Sequence, residues 1–200
     1  MGHLVIGVDS STQSTKAIAW DKNGSNIAEG RCDIALHNPS LEKFEQNVED
    51  WWNAFCVSCN ELSKKINMDD VDAIAISNQR ETLAKLDSNG KAVYPATVWM
   101  DKRSVEEVEE LNEIIGGNRI HEITGRPKDP CPCLYRIFWL KKNEPEIFDQ
   151  VHCFADVQSF LVHRLSGEFN TGWISSDPHG MFDVVKKCWS NEILKNLDID

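Results

Sequence analysis

The sequence predicts an α/β protein in which a mixed sheet is flanked by helices. Short runs rich in β-branched residues end in polar turns over residues 4–35 and again over 71–87. Amphipathic patterns with helical spacing cover 48–66 and 104–115. The composition, 41% hydrophobic and 26% charged, is that of a globular protein.

The chain opens with a predicted β-hairpin. Leu4–Val8 is short and β-branched, which is typical of a buried strand, and a second strand is predicted over 15–21. Asn23-Gly24 predicts a type I′ turn, because both residues tolerate a positive φ. A third strand is predicted over 27–35, so that the first three strands are antiparallel neighbours.

The rest of the chain continues the pattern. Residues 36–47 are expected to be irregular, and Asn47 is expected to cap the helix over 48–66. A buried strand over 71–77 and a strand over 82–87 are expected to join the first three in one sheet, with the helices over 48–66 and 104–115 beside it. Later helices are predicted over 134–143, 157–165 and 191–197.

Charge and cysteine content limit the function classes. The net charge of −11 argues against nucleic acid or an anionic membrane as the main partner. No apolar run reaches the roughly 20 residues of a membrane span. The seven cysteines are an odd number, and they are expected to be reduced thiols in a cytoplasmic protein. A small-molecule ligand is expected, while a homodimer remains open.

Asp9 stands at the tip of the first predicted strand, directly before a cluster of hydroxyl residues. A carboxylate beside serine and threonine hydroxyls suits a hydrated magnesium ion, which prefers oxygen ligands. The N–H groups of the turn could bind phosphate oxygens, with Lys16 as the counter-charge. The alternative, a polar turn that only closes a hairpin, has equal weight.

A second polar tip follows the strand over 71–77. Arg80 supplies fixed donors and Glu81 supplies acceptors, which together suit the neighbouring hydroxyls of a polyol. Trp99 could stack on the C–H face of a sugar. The alternatives are a surface ion pair of little energetic value and ordinary packing of the indole ring. His179 is expected to be structural or exposed.

Several motifs in order resemble the FGGY carbohydrate kinases, a family of the actin-like ATPase superfamily. Gly7-Val8-Asp9-Ser10-Ser11-Thr12 is similar to the first phosphate motif of that superfamily. The further motifs are Phe44-Glu45-Gln46, Gln79-Arg80-Glu81-Thr82, Trp99-Met100-Asp101-Lys102-Arg103 and Thr124-Gly125-Arg126-Pro127.

The resemblance implies an RNase H-like fold and transfer of the ATP γ-phosphoryl group to a sugar or polyol. It implies that Asp9 organises Mg²⁺ and that Ser11, Thr12, Gln13, Ser14 and Lys16 face the phosphates of ATP. It also implies that Arg80, Glu81 and Trp99 meet the substrate.

Three departures refine this expectation. Most members have glycine at the position of Ser11, so the approach of the backbone to phosphate is expected to differ in detail. Glycerol kinases have a substrate-contacting tyrosine near Cys131, so a pentulose such as xylulose is favoured over glycerol. Members are also much longer, and their catalytic aspartate and adenosine pocket lie beyond Asp200. Residues 1–200 are therefore expected to form an N-terminal lobe that is inactive alone and lacks the general base, since neither Asp156 nor Asp177 is expected to replace it.

Two other functions remain alternatives. A non-catalytic ATPase-fold module could bind a sugar or a partner protein. An acetate-kinase-like or heat-shock-chaperone-like relative would share the phosphate hairpin, but it would not explain the Arg-Glu and Trp-Met-Asp motifs.

Overall fold

The computed structural model describes residues 3–199. In chain order its strands and helices are β1 (Leu4–Ser10), β2 (Ser14–Asp21), β3 (Asn26–Asp33), β4 (His37–Ser40), β5 (Lys43–Gln46), α1 (Val48–Ser63), β6 (Val71–Asn78), β7 (Leu83–Leu86), β8 (Ala92–Thr97), α2 (Val105–Ile115), α3 (Arg119–Thr124), α4 (Cys133–Asn143), α5 (Pro145–Phe148), β9 (Cys153–Ala155), α6 (Val157–Ser166), α7 (Trp173–Ser176), β10 (Phe182–Asp183), β11 (Cys188–Trp189) and α8 (Asn191–Leu197). Among the residues described, no helix is both long enough and apolar enough to span a membrane.

The chain divides into two compact units. Unit 1 comprises the chain up to Leu36 together with Gln46–Gln79, and unit 2 comprises His37–Glu45 together with the chain from Arg80 onward. Each unit has its own principal sheet. The prediction of a single lobe over residues 1–200 stays a prediction.

Unit 1 is built on a four-stranded mixed sheet in the order β3-β2-β1-β6. The first three strands are antiparallel neighbours, as predicted, and β1 runs parallel to β6 with Ser10 opposite Asn78. Val5 and Ile76 therefore lie in one sheet, which confirms that part of the predicted topology. Because parallel strands end at the same edge of a sheet, the polar tips of β1 and β6 lie side by side.

The prediction that β1 and β6 are fully buried is wrong. Burial in β1 alternates, so that Ile6 is buried while Val5 is 48% exposed. In β6, Ile74 is 41% exposed, because β6 is the edge strand of this sheet and α1 packs mainly on β2 and β3. The same apolar runs therefore form a sheet that α1 covers at β2 and β3, while β6 stays largely exposed.

Helix α1 begins as the sequence predicts and lies close to the sheet. The Asn47 side chain caps it by accepting a hydrogen bond from the Glu49 N–H at 3.2 Å. A Cβ atom at Gly30 of β3 would lie 2.1 Å from the Ser58 carbonyl oxygen of α1, so a larger residue cannot fit there. Glycine at this position permits the close approach of helix and strand.

The turn between β2 and β3 differs from the predicted type I′ turn. Gly24 has φ +80°, but Asn23 is not in the left-handed region. The Asp21 carboxylate instead accepts hydrogen bonds from the Asn23 and Ser25 N–H groups, both at 2.8 Å. The side chain of the first turn residue thus stabilises a loop in which only the glycine needs a positive φ.

Unit 2 contains a five-stranded sheet in the order β4-β5-β8-β7-β9. Two predictions are therefore wrong: the strand predicted over 82–87 joins this sheet and not that of unit 1, and the region 36–47 contains β4 and β5. Helix α2, predicted beside the first sheet, packs on α4 within unit 2. The core of unit 2 is formed by residues from α2, α3, α4 and α8, among them Leu111, Leu134 and Ile193.

Lys85 is buried in the middle of the unit 2 sheet. Its Nζ atom lies 2.8 Å from the Thr97 hydroxyl oxygen and 3.2 Å from each of the Leu83 and Pro95 carbonyl oxygens. Burial, with smaller contributions from Arg103 and Arg136, holds the pKa of Lys85 well below its usual value.

The depressed pKa of Lys85 makes stability depend on pH. Between the folded-state pKa and the unfolded-state value near 10.4, the unfolded chain binds more protons than the native chain, so stability rises with pH in that window. Relative to a Lys85→Met variant, the wild-type chain is expected to gain free energy of unfolding as the pH rises toward 10, by about 1.4 kcal/mol for each pH unit above the folded-state pKa of Lys85. Urea unfolding of both chains at each pH measures this difference in the free energy of unfolding.

Lys22→Met is the control for this experiment, because Lys22 lies exposed in the turn after β2. Its stability difference from wild type is expected to stay constant over the same pH range. A constant difference for Lys85→Met as well would show that Lys85 stays protonated in the folded chain throughout the window.

Candidate functional site

The turn between β1 and β2, in unit 1, is closed by its own hydrogen bonds. The Ser11 N–H and the Ser11 hydroxyl both donate to the Ser14 carbonyl oxygen, each at 2.9 Å. The Ser10 and Thr15 hydroxyls lie 3.1 Å apart beneath the turn. Gln13 is exposed at its tip, while Ser14 is buried. The backbone of the turn is therefore held in a defined shape by its own hydrogen bonds.

A buried amide network in unit 1 supports this turn from below. The Gln46 side chain donates to the Thr12 carbonyl oxygen at 2.7 Å. Its own oxygen accepts from the Trp51 indole N–H at 3.0 Å and from the Gln79 amide at 2.7 Å. Because Gln46 is fully buried and uses both ends of its amide, it links the turn to α1 and to the end of β6.

Asp9 lies at the edge of the unit 1 sheet on the exposed face of β1. The Ser77 hydroxyl donates to one Asp9 carboxylate oxygen at 2.7 Å. Lys16 is directly opposite Asp9 on β2, and its ammonium group lies 2.9 Å from the Glu29 carboxylate. Asp9 and Lys16 therefore share one face of the sheet, and the Lys16 ammonium group is paired with Glu29.

Four charged side chains form a cluster in unit 2, which we call the Arg80 cluster: Arg80, Glu81, Arg126 and Asp177. Arg80 Nη2 lies 3.0 Å from both carboxylate oxygens of Asp177. Arg126 Nη2 donates to the same carboxylate at 2.6 Å, and its Nε donates to the Asp177 carbonyl oxygen at 3.1 Å. Glu81 lies 3.8 Å from Arg80 and 3.5 Å from Arg126. The cluster has two positive and two negative groups.

Glu81 has a backbone conformation that is unusual for its residue type. Its φ is +49°, in the left-handed region. The fully buried Arg136 donates to the Glu81 carbonyl oxygen and also to those of Val98, at 2.9 Å, and Cys131, at 3.1 Å. Arg136 thus holds three backbone segments together and stabilises the strained residue.

The Trp99 region combines an exposed ring with a buried ion pair. Trp99 is 45% exposed, and its carbonyl oxygen lies 3.8 Å from the Cys131 sulfur. Burial, with a contribution from Glu81, raises the pKa of Cys131 to about 11, so the protonated thiol predominates at neutral pH. Asp101 and Arg103 form a buried pair at 2.7 Å, which indicates that the end of this motif is structural.

Two cavities of unit 2 differ in their linings. One, of about 310 Å³, is lined by Arg80, Trp173, Ile174, Asp177, Phe182, Val184 and Lys187. Trp173, which sequence reasoning did not select, lies in this wall, whereas Trp99 is not among the described lining residues. A larger cavity of about 610 Å³ contains none of the predicted site residues. His179 borders it, buried and 3.6 Å from Asp156.

Comparison with known proteins identifies the family. The model of the FGGY family of carbohydrate kinases, N-terminal domain, matches residues 4–200. The chain belongs to the FGGY carbohydrate kinase family.

Two FGGY relatives have similar levels of identity. The glycerol kinase of Thermococcus kodakarensis is 31% identical over 205 residues, which cover 100% of this chain and 41% of the relative. The xylulose kinase of Lactococcus lactis is 31% identical over 198 residues, which cover 98% of this chain and 39% of the relative. The chain thus spans about 40% of the length of these relatives.

Solved FGGY structures have the same fold. A gluconate kinase from Lactobacillus acidophilus superposes with a TM-score of 0.94 at 24% identity, over 100% of this chain and 40% of that chain. A glycerol kinase from Plasmodium falciparum, solved with ADP, superposes with a TM-score of 0.88 at 24% identity, over 98% of this chain and 41% of that chain. The predicted RNase H-like, actin-like fold is therefore confirmed.

The predicted site residues of this FGGY chain lie in two groups. Asp9, Ser11, Thr12, Gln13, Ser14 and Lys16 surround the first turn of unit 1, and Arg80 and Glu81 belong to the Arg80 cluster of unit 2. Their ligand roles stay predictions.

Sequence reasoning did not select Gln46, Arg126, Arg136 or Asp177. Gln46 and Arg126 stand in motifs that were singled out, so a signal was present for both. Arg136 lies in an apolar helix without a local sign of its contacts, and Asp177 was considered only as a base.

Proposed function

We propose that this chain is the first lobe of an ATP-dependent sugar kinase that phosphorylates a hydroxyl group of a sugar or polyol. The family gives the reaction class, phosphotransfer to an alcohol. In this proposal, the turn after Asp9 binds the phosphates of ATP, and the Arg80 cluster binds the sugar or polyol substrate. A pentulose such as xylulose is the favoured substrate, and glycerol is the alternative.

The observation that carries the substrate assignment is the backbone of Glu81. A non-glycine residue at φ +49° costs on the order of 1–3 kcal/mol, and such strain persists where the surroundings impose it, most often at functional sites. Here the imposing group is buried Arg136. This strain supports a functional role for Glu81 and its neighbour Arg80, whose acceptors and donors suit vicinal hydroxyl groups.

The surroundings of Asp9 fit a magnesium ion that is held mainly by phosphate and water. One Asp9 oxygen accepts from Ser77, which orients the carboxylate, and the side chain is exposed at the end of β1. Residues 3–199 contain no group of three or more metal-binding side chains. A single carboxylate is sufficient for Mg²⁺ in kinase sites, where the ion neutralises phosphate charge. Asp9 would hold it, with Lys16 nearby.

The hydrogen bonds that close the turn support its proposed phosphate role. Ser11 and Ser14 are connected within the turn, so a bound phosphate would meet a preformed loop and little ordering would be required on binding. Phosphoryl transfer depends mainly on such positioning and on electrostatic stabilisation. The general base is expected beyond residue 200, because neither Asp156 nor Asp177 is available: the first caps α6 and the second binds two arginines.

The test compares the 200-residue chain with the complete reading frame that contains it. ADP release is measured with xylulose, glycerol and gluconate as acceptors. We expect the complete frame to phosphorylate xylulose with the highest kcat/KM and the 200-residue chain to show no turnover. Absence of turnover in the complete frame would favour the non-catalytic module, and turnover by the 200-residue chain would contradict the two-lobe assignment.

A further inference from the structure

The Arg80 cluster contains a carboxylate that a simple hydroxyl-binding pair does not require. Arg80 and Glu81 alone would supply donors and acceptors for a polyol. Asp177 adds a second acceptor that occupies donors of both arginines, at 3.0 Å from Arg80 and 2.6 Å from Arg126. Its side chain is 31% exposed, and it lines the 310 Å³ cavity together with Arg80. Asp177 is therefore positioned to decide what can enter beside Arg80.

The charge balance of the cluster determines which ligands it accepts. Two guanidinium groups that face one space form a strong binding site for a carboxylate, through paired charge-assisted hydrogen bonds. Asp177 already occupies that position from within the protein. A second carboxylate would have to displace it or approach both Asp177 and Glu81, which are like charges. Hydroxyl groups carry no charge, and they can accept from Arg80 while donating to either carboxylate.

We propose that Asp177, held by Arg126, is a specificity-determining residue that excludes anionic sugar acids from the substrate site and leaves it selective for uncharged sugars and polyols. This inference rests on the proposed function, because it takes the Arg80 cluster as the substrate site. It adds a selection by charge that neither Arg80 nor Glu81 alone provides. Arg126 acts through Asp177, because Arg126 Nη2 donates to the Asp177 carboxylate and Arg126 Nε donates to the Asp177 carbonyl oxygen.

Two substitutions change the charge of the cluster in opposite directions. Asp177→Asn leaves the cluster with one excess positive charge, and Arg126→Gln leaves it with one excess negative charge. A role in folding alone would weaken the binding of every ligand in both variants. A role in charge selection shifts the preference between gluconate and xylulose in opposite directions.

The matched control is the Arg119–Glu192 pair, which also lies in unit 2. Arg119 and Glu192 are joined at 2.8 Å and 2.9 Å and are exposed on the surface. Glu192→Gln removes the same charge as Asp177→Asn, and Arg119→Gln removes the same charge as Arg126→Gln. Any general effect of net charge on gluconate binding therefore appears in the control pair as well.

The experiment measures equilibrium binding of gluconate and xylulose to the complete reading frame by calorimetry, without ATP. We expect the affinity ratio of gluconate to xylulose to rise on the order of tenfold in Asp177→Asn and to fall in Arg126→Gln, with the controls unchanged. An unchanged ratio in both cluster variants, no gluconate binding by a folded Asp177→Asn variant, or equal shifts in the controls would overturn the inference. If Asp177→Asn does not fold, Asp177→Ser, which removes the same charge, is measured in its place.

Binding and turnover separate this inference from the proposed function. If the complete frame phosphorylates no acceptor but the affinity ratio shifts as expected, the kinase assignment fails and the charge selection stands. If the frame phosphorylates xylulose and the ratio does not change, the kinase assignment stands and the role of Asp177 is wrong.

Discussion

Asp9→Asn is expected to lower kcat for sugar phosphorylation by roughly 10²–10³-fold in the complete reading frame, with little change in the sugar KM. The carboxylate would act where charge redistributes during phosphoryl transfer, so its contribution is greatest in the transition state. Asparagine retains an acceptor for the Ser77 hydroxyl, which lies 2.7 Å away in the wild type. The loss therefore reports the missing charge and not a collapsed strand end.

Asp72→Asn is the matched control for Asp9. Asp72 belongs to β6 of the same sheet, is exposed, and pairs with His3 at 2.6 Å. Its removal changes the net charge by the same amount, and steady-state kinetics should stay close to wild type. An equal loss of kcat in both variants would mean that Asp9 has no special role. A raised sugar KM with normal kcat would assign Asp9 to the substrate site.

Arg80→Gln is expected to raise the KM for the sugar by roughly 10–100-fold, since a charge-assisted hydrogen bond is worth about 1.5–3 kcal/mol. kcat is expected to fall too when the attacking hydroxyl is misaligned, by up to about a hundredfold. The KM for ATP should change little, because the turn that we propose to bind phosphate is a different segment, in unit 1. Initial-rate kinetics with each substrate varied in turn separate these effects.

Arg119→Gln provides the comparison for Arg80. The two side chains are similarly exposed, 42% and 45%, and both pair with carboxylates. Normal kinetics are expected for this variant. If Arg80→Gln left both sugar parameters intact and raised the ATP KM, the Gln-Arg-Glu-Thr segment would belong to the nucleotide site.

Local chemistry explains why much of unit 1 could be predicted from the sequence. Apolar runs bounded by turn residues predicted β1, β2 and β3, and Asn47 correctly predicted the start of α1. The candidate residues of the first turn follow one another in the chain, so one motif contains them all. The turn type at Asn23-Gly24 was wrong, because the Asp21 side chain supplies hydrogen bonds that the dipeptide alone does not predict.

By itself, the sequence determined the α/β class, the family and both groups of candidate residues. These properties depend on periodicity and on ordered motifs, which are local in the chain. Only the tertiary structure decided that β7 belongs to the second sheet and that β6 is an exposed edge strand. Only the tertiary structure also showed that Asp177 pairs with Arg80, although the two residues are 97 positions apart in the sequence. Strand pairing and the meeting of distant charges depend on how complete elements pack, and no spacing within a single segment carries that information.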